Sequence, residues 1–204
     1  MTEELKVLVL DAMGVIYSVR DDVKDLLCPF VAEKGGTKDT TTINELYRSA
    51  SLGNMSAFEF WKAVNVSSEL EDEYLSKHKL SDGLVDFLEE TNQRGHEVWC
   101  LSNDLSEWSR KLRLHFRLEK YFNGFVISSD VGFRKPDPAI FHRLVTQSNM
   151  DPHKAIFIDD NKKNLDSAAI LGFETVVFRP VASDSTGGTH KIVNNFNDIL
   201  PLLT

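Results

Sequence analysis

The chain has 204 residues, 42% of them hydrophobic and 26% charged, which suits a folded domain of ordinary size with a modest insertion rather than a disordered chain. A net charge of -8 excludes general binding to nucleic acid, which needs a basic face, although local cations or a metal can still receive a small anion. The acidic start MTEELK lacks the marks of a signal peptide and no apolar run is long enough to span a membrane, so a cytoplasmic protein is expected.

The first strand is expected at Lys6–Leu10, a nearly unbroken apolar run of the kind that parallel strands buried on both faces require. From residue 18 to about 80 the rhythm changes to four helical patterns without a strand. Val23, Leu26, Leu27, Phe30 and Val31 form one stripe, and Ile43, Leu46, Tyr47 and Ala50 a second. Ala57, Phe60, Trp61 and Val64 form a third, and a weaker one surrounds Leu70 and Tyr74. Aromatic residues at this spacing read as core rather than as a ligand box.

Strands and helices then alternate. Leu84, Val85 and Leu88 share a helix face that Gly95 closes, and Glu97–Leu101 is the second strand. A helix through Leu105, Trp108, Leu112 and Phe116 leads to the third strand, Gly124–Ile127. Asp137 caps the next helix, with Pro138 in its first turn and Phe141, Leu144 and Val145 on one side. Ala155–Ile158 is the fourth strand, a helix through Leu165, Ala168 and Ala169 stops before Gly172, and Thr175–Phe178 is the fifth. SDSTGGTH, residues 183–190, reads as a surface loop, and Cys28 and Cys100 as buried free thiols. The fold class is α/β, a doubly wound parallel sheet with an inserted small helical bundle. The core is expected from residues 1–17 and 81–204, with a helical cap of residues 18–80 over one end of the sheet.

In such a sheet the active site lies at the carboxyl ends of the strands, near a topological switch point. Asp11 ends the first strand, Ser102 and Asn103 the second, and Asp159 and Asp160 the fourth. Lys135 precedes the helix at Asp137 and is held extended by the proline after it. Each alone has an ordinary explanation as turn, cap or surface residue. Together they suit phosphoryl transfer, in which an attacking carboxylate needs its charge offset. Mg²⁺ binds through one or two carboxylates plus substrate phosphate, and Asp11 and Asp160 can supply them. The backbone carbonyl of Met13, two residues on along an extended chain, is a third candidate ligand. Ser102 and Lys135, with Asn103 beside them, are candidates to hold the phosphoryl oxygens.

The segments DAMGVI, LSND, the lysine of RKPDPAIF, and FIDDNKKN, in this order, resemble the four motifs of the haloacid-dehalogenase-like hydrolase superfamily. The likeness covers nearly the whole chain, including a helical cap between the first two motifs. It implies a Rossmann-like core, Mg²⁺ as cofactor and, in most members, phosphatase activity. By the same match Asp11 is the nucleophile, Ser102 and Lys135 bind phosphate, Asp160 is the metal ligand, and Asp159 and Asn164 stand beside the metal site. The expected partner is a small phosphorylated metabolite, with no nucleic acid and no membrane, for a monomer or homodimer.

One departure stands out. Phosphatases of the family usually carry a second aspartate two residues after the nucleophile as general acid and base, and here that position is Met13. Three readings follow: a phosphatase for leaving groups of low pKa, such as anomeric sugar phosphates; a 2-haloacid dehalogenase, whose first motif DAMG resembles; or a weakly active phospho-binding protein. The paired acids Asp159 and Asp160 speak against the dehalogenase. Tyr17, Arg20, Arg48 and Trp61 are candidates to reach the cleft from the cap, and His96, His115 and His142 show no metal-ligand spacing.

Overall fold

The computed structural model describes residues 5–180 and 188–203. Six parallel strands, β1 (Val7–Leu10), β2 (Glu97–Ser102), β3 (Gly124–Ile127), β4 (Ala155–Asp159), β5 (Glu174–Phe178) and β6 (Lys191–Val193), lie in the order β3-β2-β1-β4-β5-β6. The first five fall within a residue or so of their expected places. β6 was not expected, because its three residues include only one that is buried. Its weak signal suits a short edge strand.

β1 pairs with β2 on one side and β4 on the other, so the chain reverses direction of travel across the sheet at the β1/β4 boundary. Leu10 lies opposite both Cys100 and Ile158, which brings the carboxyl ends of all three strands level. Period-two alternation divides the core. Leu8 and Leu10 face one apolar cluster, which continues into the helical insert, while Val9 faces another built with Leu101, Val126, Phe141 and Phe157.

Between β1 and α5 (Leu84–Gln93) lies the insert: a single π turn at Val23–Leu27 running into α1 (Cys28–Glu33), then α2 (Thr40–Ala50), α3 (Ala57–Ala63) and α4 (Glu71–Leu75). Asp39 caps α2 by accepting from the Thr41 N–H at 3.0 Å, and Ser56 with Glu59 forms a reciprocal capping box on α3. The insert enters and leaves through a narrow neck, where Ser18 N–H donates to the Lys79 carbonyl and Ser81 N–H to that of Ile16. Its aromatic residues are core, as expected: Phe60, Trp61 and Tyr74 are fully buried around Trp108 of α6 (Ser106–His115). The Glu71 carboxylate fixes this contact. One oxygen accepts from both indole N–H groups, Trp61 and Trp108, at 2.8 Å, and the other lies 2.8 Å from Lys111 Nζ.

The remaining helices, α7 (Ser128–Val131), α8 (Pro138–Ser148) and α9 (Lys162–Ile170), connect the later strands. Asp137 caps α8 from the Ala139 N–H, with Pro138 in the first turn. On α9, Leu165 and Ala168 are buried but Ala169 is exposed, since the helix presents a narrower face to the sheet than the sequence pattern suggested. Cys28 and Cys100 are free and buried. Of the loop expected at 183–190, residues 183–187 lie outside the described residues, and Gly188 and Thr189 form a turn. Among the described residues no helix is long and apolar enough to cross a membrane.

Candidate active site

β1 delivers Asp11 to the level sheet edge, where its N–H continues the ladder to the Ile158 carbonyl at 2.9 Å. Beyond it the chain does not stay extended. It folds into a tight turn in which Tyr17 N–H donates to the Ala12 carbonyl and Gly14 N–H reaches the Tyr17 and Val19 carbonyls. Gly14 serves twice here. Its φ of +81° suits glycine, and a Cβ at this place would stand 2.6 Å from Asp160 Oδ2. The turn therefore brings the first strand's exit against the fourth strand's acids, and Met13 lines the resulting cavity.

Asp11, Asp159 and Asp160 each offer an oxygen within 4.8 Å of the others. Lys135 is almost wholly buried between two of them, with Nζ 2.6 Å from Asp11 Oδ1 and 2.9 Å from Asp159 Oδ2. The amide of Asn103 grips the Lys135 backbone from both sides, donating to its carbonyl at 2.9 Å and accepting from its N–H at 2.7 Å. Asp159 is further fixed by the Asn164 amide at 2.9 Å and the Asn161 N–H at 2.7 Å. Arg20, from the start of the insert, donates to Asp160 Oδ2 at 2.6 Å. Ser102 lines the same cavity, and its hydroxyl has no hydrogen-bond partner among the described residues.

The electrostatics are unbalanced toward negative charge. Burial first, then the Asp159 charge, pushes the Asp11 carboxyl well above its ordinary value despite Lys135. Burial also raises Asp160, against the opposing hydrogen bond from Arg20. Lys135 shows the reverse: burial disfavours its charge, yet Asp11 and Asp159 outweigh that and hold its pKa up. Two fixed cations thus do not fully offset three crowded carboxylates. Hard oxygen donors with surplus negative charge are what a divalent cation such as Mg²⁺ requires.

The cavity measures about 930 Å³ and lies between the strand ends and the insert. Every residue expected at the site, Asp11, Met13, Ser102, Asn103, Lys135, Asp159, Asp160 and Asn164, lies at this edge, Asp159 beneath its surface. Of the residues weighed as reaching in from the insert, Arg20 and Arg48 line the cavity. Tyr17 packs against His78 and Phe116, and Trp61 is sealed in the insert core, so neither reaches it. Sequence reasoning missed Asp22, Tyr47, Asp104 and Arg134. Asp22, Tyr47 and Arg134 line the cavity, and Tyr47 Oη donates to the Asn103 carbonyl at 3.1 Å while standing 3.5 Å from Asp104. The only sequence signal was adjacency, since Arg134 and Asp104 each neighbour a residue already singled out.

A family model described as haloacid dehalogenase-like hydrolase matches residues 5–172. Among curated proteins, the chain is 23% identical over 138 residues to phosphoglycolate phosphatase 1 of Pseudomonas aeruginosa, covering 63% of this chain but only 50% of that protein. It is 25% identical over 194 residues to a D-ribitol-5-phosphate phosphatase of Bacteroides thetaiotaomicron, covering 86% of this chain and 92% of the relative. A HAD family enzyme of the same bacterium, solved with magnesium and inorganic phosphate, superposes with a TM-score of 0.75 at 21% identity over 89% of this chain and 98% of its own, a likeness of fold.

Proposed function

The chain belongs to the haloacid dehalogenase-like hydrolase family, and we propose that within it this protein is a Mg²⁺-dependent phosphatase of a small phosphorylated metabolite, with Asp11 as nucleophile. The observation that carries this reading is the buried Lys135 bridging Asp11 and Asp159 beside Asp160, in a cavity that Ser102 also lines. Asp11, Asp160 and the Met13 carbonyl would hold the metal, with Asp159 and Asn164 beside them. When bound, Mg²⁺ neutralises charge on the phosphoryl oxygens and on the attacking carboxylate.

The side chains divide the remaining work. Asp11 attacks phosphorus through a carboxylate oxygen, the bond to the leaving oxygen breaks, and an aspartyl phosphate forms that water then hydrolyses. Lys135 and the Ser102 hydroxyl bind phosphoryl oxygens, and Asn103 positions Lys135 through its backbone. Residues 18–80 act as a cap that covers the cleft and limits water.

Met13 carries no proton to give a leaving alkoxide. General acid–base help is worth about 10²–10⁴-fold, so turnover should depend steeply on the leaving group. Substrates such as anomeric sugar phosphates, which leave without much protonation, suit this site best. The test is phosphate release across a panel of phosphomonoesters graded by leaving-group pKa, with and without Mg²⁺, beside an Asp11→Asn control. Turnover that needs Mg²⁺, vanishes in the control and rises as leaving-group pKa falls is the expected result. Metal-independent halide release from 2-chloropropionate, with no phosphate released from any ester, would replace the reading with dehalogenation.

A further inference from the structure

The cations that line the cavity differ in how they are met. At the strand tips Lys135 lies between Asp11 and Asp159, and Arg20 lies on Asp160. The same cavity is lined by Arg48, exposed on α2, and Arg134, immediately before Lys135. Among the described residues neither forms an ion pair or a side-chain hydrogen bond. Arg134 Nη1 is buried and donates to nothing, and its guanidinium lies 5.7 Å from the centre of the Tyr47 ring. The charged and titratable groups that act most on Arg134 are Tyr47, Arg48, Asp104 and Asp22, none of which belongs to the Asp11 cluster.

An arginine does not shed its proton in a protein, so a charge placed in this wall has to be met by something. The nearby acids meet it poorly. Burial, and then the Asp22 charge, push Asp104 well above the carboxylate range, while burial and Asp21 push Asp22 up to about 6. Asp21, Asp25 and Glu45 also line the cavity, yet none pairs with either arginine. Two arginines near one another without a partner, in a wall that opens on the phosphate site, are arranged to receive an anion.

We propose that Arg48 and Arg134 form a second anion subsite, so that the substrate is a phosphate monoester carrying a further anionic group, either a carboxylate or a second phosphate. This deepens the phosphatase reading and rests on it. The phosphoryl group to be cleaved sits on Ser102 and Lys135, and the second group is gripped by the two arginines of the same cavity, whose volume of about 930 Å³ accommodates a metabolite of that size. Binding energy from this remote group then holds the reacting phosphate in place, which helps a site that lacks a general acid.

Kinetics on matched pairs decide the matter. Glycerol 3-phosphate is compared with 3-phosphoglycerate, which adds a carboxylate, and fructose 6-phosphate with fructose 1,6-bisphosphate, which adds a phosphate. At least one pair should show kcat/KM higher by about tenfold or more for the more anionic member, chiefly through KM, and the pair that responds separates carboxylate from phosphate. Arg134→Gln and the exposed Arg48→Gln should each bring that ratio toward one, with Arg134→Lys restoring only part of it for want of a bidentate fork. A wild-type ratio near one in both pairs, or variants that slow both members of a pair equally, would overturn the subsite. Absence of Asp11-dependent turnover on all four compounds would instead count against the phosphatase reading. The subsite is then decided by calorimetric titration of 3-phosphoglycerate and fructose 1,6-bisphosphate. Affinity lost in Arg48→Gln supports it, and equal affinity in wild type and variant, or no binding, overturns it.

Discussion

Two sets of buried or half-buried carboxylates lie in this molecule, and they differ in the partners that meet them. At the strand tips Asp11, Asp159 and Asp160 are met by Lys135, Arg20, the Asn164 amide and the backbone N–H groups of Ala12 and Asn161. At the seam between insert and core, Asp22 and Asp104 have no ion pair among the described residues. Asp104 accepts from the Leu105 N–H at 2.7 Å and faces the Tyr47 hydroxyl, and burial drives both acids toward their neutral forms. Burial alone therefore does not mark an acid for chemistry. Burial raises the carboxyls of both sets, and what sets the strand-tip acids apart is the contact with fixed cations, Lys135 at Asp11 and Arg20 at Asp160, that opposes the rise there.

The largest effect should come from removing the cation that separates the two sets. Lys135→Met leaves Asp11 and Asp159 facing each other with no cation between them, and loss of one partner from a buried ion pair costs about 3–5 kcal/mol. Denaturant unfolding in metal-free buffer measures this directly. A variant as stable as wild type would mean that the strand-tip acids are already held neutral like those of the seam, and the contrast between the two sets would disappear.

Asp22 offers the reverse experiment. Its pKa in the folded chain is about 6 against an ordinary 3.8, so between those values the folded protein holds a proton that the unfolded chain has released. Raising the pH from about 4 to about 6 therefore destabilises the fold, because the unfolded chain gains a solvated charge while the folded one still holds its proton, and above about 6 the effect is complete. Asp22→Asn stays neutral throughout and escapes the loss. The stability of the variant relative to wild type should therefore rise across this window, by up to about 3 kcal/mol. Parallel stability–pH curves for the two proteins would show that Asp22 is solvated and is no part of a neutral seam.

A third acid tests whether the seam tolerates a charged group when it is properly met. Glu71 accepts from the two indoles and faces Lys111, joining α3 and α4 of the insert to α6 of the core. Glu71→Ala should cost about 2 kcal/mol and shift the tryptophan emission, since both indole N–H groups lose their acceptor. Glu71→Gln keeps an oxygen for them and should cost less. Equal losses in the two variants would assign the effect to the Lys111 pair instead.

The strand-tip set was legible in the sequence and the seam was not, for a physical reason. Parallel strands buried on both faces leave continuous apolar runs, so the first polar residue after each run, Asp11 or Asp159, marks the site edge. Lys135 announced itself only by its place before a proline and a capped helix. Asp22, Asp104 and Arg134 matter through contacts between the insert and the core, separated by tens of residues in the chain, and no local pattern encodes those. The same limit applies to Glu71, which sits in the weakest helical stripe and yet holds two tryptophans. The turn at Met13–Gly14 departs from the extended chain expected there, and Asp160, far away in sequence, leaves no room for a Cβ on Gly14.

The smallest change falls where the two regions touch. Tyr47 Oη donates to the Asn103 carbonyl, and the Asn103 side chain in turn fixes the Lys135 backbone, so one hydroxyl of the insert is linked to the cation at the strand tips through a single asparagine. Tyr47→Phe keeps the ring against Trp108 and removes only that hydrogen bond, at about 1 kcal/mol. If the seam is no more than a join, stability falls by that amount and phosphatase kinetics stay as they were. If it also orders the site, kcat falls further than the stability loss explains, because Lys135 is then less well placed when the phosphoryl group arrives. Asn103→Ala distinguishes the routes, since it cuts the link at Lys135 itself and should reproduce any kinetic defect of Tyr47→Phe in stronger form.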